Sequence, residues 1–117
     1  RDLPMDERIA WEAAKKSLPG ECEGDSTCNI GAMNLMEGKY LNLYPRGAHA
    51  EEALDQILEF LKGGYEFTQT ADPLDAQSRE FGLKEVTTLR ASVSKTTSAK
   101  KAKVLQQLSL YEKYFRR

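Results

Sequence analysis

Three clusters in this 117-residue chain hold side chains of types that could do chemistry. The first is His49, the only histidine, which sits beside Glu51 and Glu52 in "YPRGAHAEE". A histidine base needs a carboxylate to orient it and a nucleophile within reach. Here it stands at the start of a helical pattern, where a packing or capping role is expected. A phosphorelay histidine lies mid-helix among polar residues with a lysine nearby, and that context is missing. The second cluster is "PGECEGDSTCNIG", with Cys22 and Cys28 in a Gly-, Ser- and Asp-rich loop. A disulfide closing this small ring is expected, which implies an oxidising compartment; two free thiols are the alternative. Zinc is not expected, because a structural site takes four ligands and the chain has one histidine. Glu21, Glu23 and Asp25 supply carboxylates for calcium. They do not form the alternating ligand pattern with a terminal glutamate, so a solvated acidic loop is expected.

The third cluster is basic: Lys95, Lys100, Lys101, Lys103, Arg116 and Arg117, near Tyr111, Tyr114 and Phe115. Basic residues among aromatics are a nucleic-acid signature. These aromatics, however, fit a helical core stripe, and 17 Lys and Arg against 18 Asp and Glu leave a net charge of −1. A solvated face is the expectation, with a patch for an acidic partner second and no nucleic acid. No Gly-rich phosphate loop, Gly-x-Ser-x-Gly elbow or His-Glu-x-x-His pair is present. The sequence therefore assigns no catalytic residue, metal or cofactor.

The elements that would carry these groups are helical. Hydrophobic residues at 40% and charged residues at 30% describe a soluble globular chain, read as one domain over residues 1–117. No apolar run reaches the ~20 residues of a membrane span. The chain begins at Arg1 without an initiator methionine, so a processed or truncated fragment of a larger protein is expected.

Five helices are predicted. The first runs from about Pro4 to Leu18, with Met5, Ile9 and Ala13 on one face and Trp11, Ala14 and Leu18 on the next. The second carries Met33, Met36, Tyr40, Leu43 and Tyr44 at steps of three and four, broadened by Leu41. Pro45 stops it. The third, about Ala48 to Lys62, has Ala50, Ala53, Leu54, Ile57, Leu58 and Leu61 on one face, and Gly63-Gly64 is expected to end it. Tyr65 and Phe67 read as aromatics pinning a loop. The fourth runs from about Pro73 to Ser92, and the fifth from about Ser98 to Phe115 with Val104, Leu108, Tyr111 and Phe115 inward. No segment alternates with period two. The fold class is all-α, with antiparallel helical hairpins.

Residues 40–61 carry a resemblance. Tyr40-Leu41, Tyr44-Pro45, Gly47, His49-Ala50 and Ala53-Leu54 stand in the order found where tetratricopeptide-like repeats join in bacterial envelope proteins. TolA-binding division coordinators and outer-membrane assembly lipoproteins have junctions of this kind. The position eight before the proline, aromatic or apolar in that pattern, is Glu37 here, and no second copy follows at a 34-residue period. The resemblance implies a fragment of a helical array, or a bundle that borrows one junction. It further implies a non-enzymatic protein-interaction or scaffold domain, periplasmic or extracellular, docking a protein or peptide partner between its helices. Tyr40, Arg46, Tyr65 and Phe67, aromatics and a charge beyond the needs of the core, are the expected contacts. A different class remains beside it: a small secreted enzyme or enzyme inhibitor that works through the loop closed by Cys22 and Cys28.

Overall fold

A computed structural model describes residues 5–14, 26–70 and 73–117, without the side chains of Ser26, Phe67 and Thr70. Six helical segments occupy them: α1 (Met5–Ala14), α2 (Ser26–Leu35), α3 (Glu37–Leu43), α4 (Ala50–Thr70), α5 (Ala76–Ser94) and α6 (Lys101–Phe115). Helices α2 and α3 form one rod that bends at Met36. The Met36 N–H still reaches the Ala32 carbonyl, and its own carbonyl accepts from Tyr40 N–H, both at 3.1 Å. Counted as rods there are five helices, and the described residues contain no strand. The expected all-α fold is the observed one.

Several boundaries have a local cause. Asp75 caps α5, its side chain accepting the Ser78 N–H at 2.7 Å. Pro45 ends α3, and a tight turn follows in which Gly47 N–H reaches the Tyr44 carbonyl at 2.9 Å. Asp55 of α4 receives Lys100 at 2.7 Å and so ties the start of α6 to its neighbour.

The rods assemble as two antiparallel hairpins laid side by side. The bent rod turns back into α4, and α5 turns back into α6. Between hairpins, equivalent helices run parallel. Asn34 and Asn42 of the bent rod meet Glu85 and Lys95 of α5, and Asp55 and Leu61 of α4 meet Lys100 and Tyr111 of α6. The offset between hairpins is about 50 residues: α2 and α5 begin at 26 and 76, α4 and α6 at 50 and 101. The core lies between the hairpins and is built from Met33, Tyr40, Leu41, Leu54, Ile57, Leu61, Val86, Leu89, Val93, Val104, Leu108, Tyr111 and Phe115. Helix α1 packs antiparallel along α3 at one end of the stack. At the other end, the exposed residues of α5 and α6 are mainly polar, among them Glu80, Lys84, Thr87, Thr88, Lys103, Gln106 and Lys113.

Two expectations change. Gly63-Gly64 does not end the third helix: α4 continues through both glycines to Thr70, so Tyr65 and Phe67 are helical rather than extended or looped. Packing overrides the glycine penalty of roughly 1 kcal/mol each. The Tyr111 hydroxyl donates to the Leu61 carbonyl at 2.7 Å, and an added Cβ on Gly64 would stand 2.9 Å from that hydroxyl. Helix α2 also begins at Ser26, so Cys28 is helical and not in the loop assigned to it. Cys22 and the acidic residues Glu21, Glu23 and Asp25 lie outside the described residues, and with them the expected ring.

Candidate functional site

The Tyr-Pro junction is locked onto α1 by a buried polar knot. Glu7, on the inward face of α1, accepts from the Tyr40 hydroxyl at 2.9 Å and from the Ala48 N–H at 3.0 Å. The same hydroxyl accepts the His49 N–H at 3.0 Å. Burial, with the Glu7 carboxylate adding to it, pushes Tyr40 up to about 12 even though the His49 N–H favours the phenolate. Gly47 is required here by space alone. A Cβ on it would fall 2.3 Å from the Tyr40 hydroxyl and 2.7 Å from the Glu7 carboxylate. His49 lies flat on Trp11, with ring centroids 4.5 Å apart and planes within 3°. Its Nδ1 pairs with Glu52 at 2.8 Å, and its carbonyl accepts the Ala53 N–H. These contacts give the lone histidine the packing and capping work expected of it.

Glu37 stands eight positions before Pro45, on the buried face of α3. It is 1% exposed. The Gln56 amide, oriented to donate, reaches Glu37 Oε2 at 3.0 Å and the Ala14 carbonyl at 3.2 Å, while Oε1 has no hydrogen-bond partner. Burial raises its carboxyl to about 7, opposed only by its own backbone N–H. One side-chain bridge thus joins the end of α1 to α3 and α4.

The surface beside this knot is apolar and open. The inward face of α1 is Glu7, Trp11 and Ala14, so Met5, Ile9 and Ala13 are left outside. Between α1 and α3 runs a groove of about 460 Å³ lined by Ile9, Ala10, Ala13, Leu35, Leu43 and Tyr44, with Asp6 and Lys39 at its edges. Of the six large hydrophobic residues that stand exposed among the described residues, three line this groove, Ile9, Leu35 and Leu43, and Met5 stands beside Ile9 on the outer side of α1. Such a concentration marks an interaction surface, whereas single exposed apolar residues are ordinary.

The expected contact residues are not brought together. Tyr40 is buried with its hydroxyl engaged on both sides, and it is among the residues lining the α1–α3 groove. Arg46 is exposed on the turn after Pro45. Tyr65 is half-buried far along α4, its ring edge-on to Tyr111 at 5.8 Å. The Phe67 side chain lies outside the described residues. The groove residues were missed although their signal was present. Helix α1 carries two apolar faces where a helix at the end of a stack buries one, and the surplus face is the exposed one.

Among the described residues no group of His, Cys, Asp and Glu could hold a metal ion, and no helix is long and apolar enough to cross a membrane. Comparison with protein families, curated proteins and solved structures finds no match to this chain.

Proposed function

We propose that this chain is a helical protein-interaction domain of the bacterial cell envelope, with the α1–α3 groove as its docking surface. The observation that carries the reading is the exposed apolar lining of that groove on a rigid floor. The floor is held by the Glu7–Tyr40–His49 knot, so a partner would meet a preformed surface and not an ordering penalty. The apolar lining between two helices suits the helix-in-groove mode, in which an amphipathic helix lays a stripe of apolar anchors between two others. The cysteine pair and the Tyr-Pro junction support the envelope setting. Arg46, exposed on the turn after Pro45, is kept in this reading as a further contact outside the groove.

A photo-crosslinking residue placed at Ile9 or Leu43, in cells making the full gene product, tests this. A discrete adduct from both sites, absent from a probe at Gln106 on the opposite end, is expected. Silence at the groove, or equal adducts from Gln106, would sink the reading.

A further inference from the structure

We infer that the occupant of the α1–α3 groove is an amphipathic helix of another protein that runs antiparallel to α1 and parallel to the α2–α3 rod. It carries an acidic residue in its first turns and a basic one in its last. The inference rests on the docking reading above and states the direction and charge pattern of the partner.

Direction follows from how this fold pairs its helices. Three helices run the same way, side by side. Glu7, Trp11 and Ala14 of α1 meet Ala48, His49 and Gln56 in rising order, and Asp55 and Leu61 of α4 meet Lys100 and Tyr111 of α6. Both α4 and α6 have an antiparallel partner that precedes them in the chain, the rod for α4 and α5 for α6. Among the described residues α1 has no such partner, because the α3 it lies against is already paired with α4. The groove is where one would lie, with α1 as one wall and the rod as the other. A helix antiparallel to α1 is also parallel to the rod. One direction thus repeats both pairings that the rod itself makes, antiparallel with α4 and parallel with α5.

The rod has a row of side chains to receive this helix. Asn34, Gly38 and Asn42, at steps of four, form the row that α5 covers: Asn34 bonds Glu85, Gly38 lies against Leu89 and Asn42 receives Lys95. The adjacent row is Leu35, Lys39 and Leu43. All three are exposed, and all three line the groove. Eight residues separate the two leucines, ~12 Å along the axis, which two turns of an occupant with apolar anchors at i, i+4 and i+7 would follow.

Charge fixes the same direction independently. Lys39 stands on the rod wall midway between the leucines, and Asp6 on the α1 wall lies toward the Leu43 end, because α1 runs against α3. No ion pair among the described residues engages either of them. An occupant entering at Leu35 offers an acid to Lys39 early and a base to Asp6 late. That order suits the occupant's own helix dipole, which favours acids near the N-terminus and bases near the C-terminus. The reverse direction would set both charges against the dipole.

A displayed library of helical peptides, selected on the full chain, reads the outcome. Its members carry apolar residues at i, i+4 and i+7 and Asp, Glu, Lys, Arg or Ala at the flanking positions, and counter-selection on Ile9→Glu removes binders of other surfaces. Peptides with an acid in the first turns and a base in the last should be enriched, with a Kd on the order of 10–100 µM for so short a contact. Reversing the two charges of a selected peptide should weaken it at least fivefold, and Asp6→Lys with Lys39→Glu should make the reversed peptide the tighter one. Leu43→Glu should abolish binding, and Phe81→Glu, at an exposed aromatic on α5, should leave it unchanged. A nitroxide on the peptide's first residue should broaden the amide signals of Leu35 and Ala13, and one on its last residue those of Asp6 and Leu43. No enriched charge pattern, the opposite pattern, or broadening in the reverse order overturns the inference. If the crosslinker at Leu43 still captures another protein in that case, the docking reading survives. A Leu43 adduct that joins two copies, or two parts of one polypeptide, also overturns the inference, because the occupant is then not another protein. If no peptide binds and the crosslinker is silent, both fall.

Discussion

Glu37→Gln is a near-isosteric change that removes one proton equilibrium from the core. The wild-type carboxyl titrates at about 7 in the folded chain, against 4.5 as its ordinary value. Between these values the folded state holds a proton that the unfolded state has released, so raising the pH favours unfolding. At about 1.4 kcal/mol per tenfold difference in proton affinity, the fold loses roughly 3 kcal/mol from this group as pH rises from 4 to 8. The loss is complete above the folded value and absent below the unfolded one. Glutamine stays neutral throughout, and its carbonyl can keep the Gln56 amide while its NH₂ takes the place of Oε1, which has no partner in either form. The variant should therefore match wild type near pH 4 and exceed it by roughly 3 kcal/mol at pH 8, a shift of about 1–2 M in the urea midpoint at a typical slope for a domain this size. Trp11, the only tryptophan, reports the transition by fluorescence. Every other carboxylate titrates alike in both proteins and cancels from the difference. A difference that is flat between pH 4 and pH 8 would refute the assignment of a buried, proton-holding Glu37.

The glycines give a contrast of opposite signs. Gly63→Ala adds a Cβ into open space within α4 and should stabilise by about 0.5–1 kcal/mol. Gly82→Ala drives one to within 2.5–2.8 Å of the Phe115 ring and should destabilise by about 1–3 kcal/mol; thermal unfolding of both variants reads the pair, and equal shifts would contradict the packing described. Asp75→Ala removes the α5 cap and should cost about 1 kcal/mol, with Asp75→Ser recovering most of it in the same urea titration. The cap also fixes a sign with pH, because the Ser78 N–H holds the Asp75 carboxyl below its ordinary range and so its contribution fades only in acid. Intact mass with and without reductant should show that Cys22 and Cys28 lose two hydrogens on pairing; a chain that alkylates fully without reductant has no ring.

Much of the architecture was legible because it follows from periodic burial. Val104, Leu108, Tyr111 and Phe115 recur at helical steps and are the buried face of α6, and Pro45 does end a helix. The course of α4 was not legible. Whether two glycines stop a helix depends on what lies beside them, and the Tyr111 hydroxyl that seals Leu61 is 50 residues away in sequence. The groove was hidden for a related reason. Periodicity shows that α1 has two apolar faces, but only the position of Tyr40 and His49, which receive Glu7 and Trp11, decides which face is spent on the core. Glu37 was visible as a departure from a repeat pattern, and its meaning came from Gln56, contributed by a different helix.

The unlike ends of the stack set a limit on growth. The outer faces of α5 and α6 present Glu80, Lys84, Thr87, Lys103, Gln106 and Lys113 around the half-exposed Phe81, a mainly polar surface that another hairpin would cover poorly. A stack with two sticky ends would add copies head to tail into an open filament. With one end mainly polar and the other apolar, the two ends are not interchangeable, and an added element is favoured at the α1 end over the α5–α6 end.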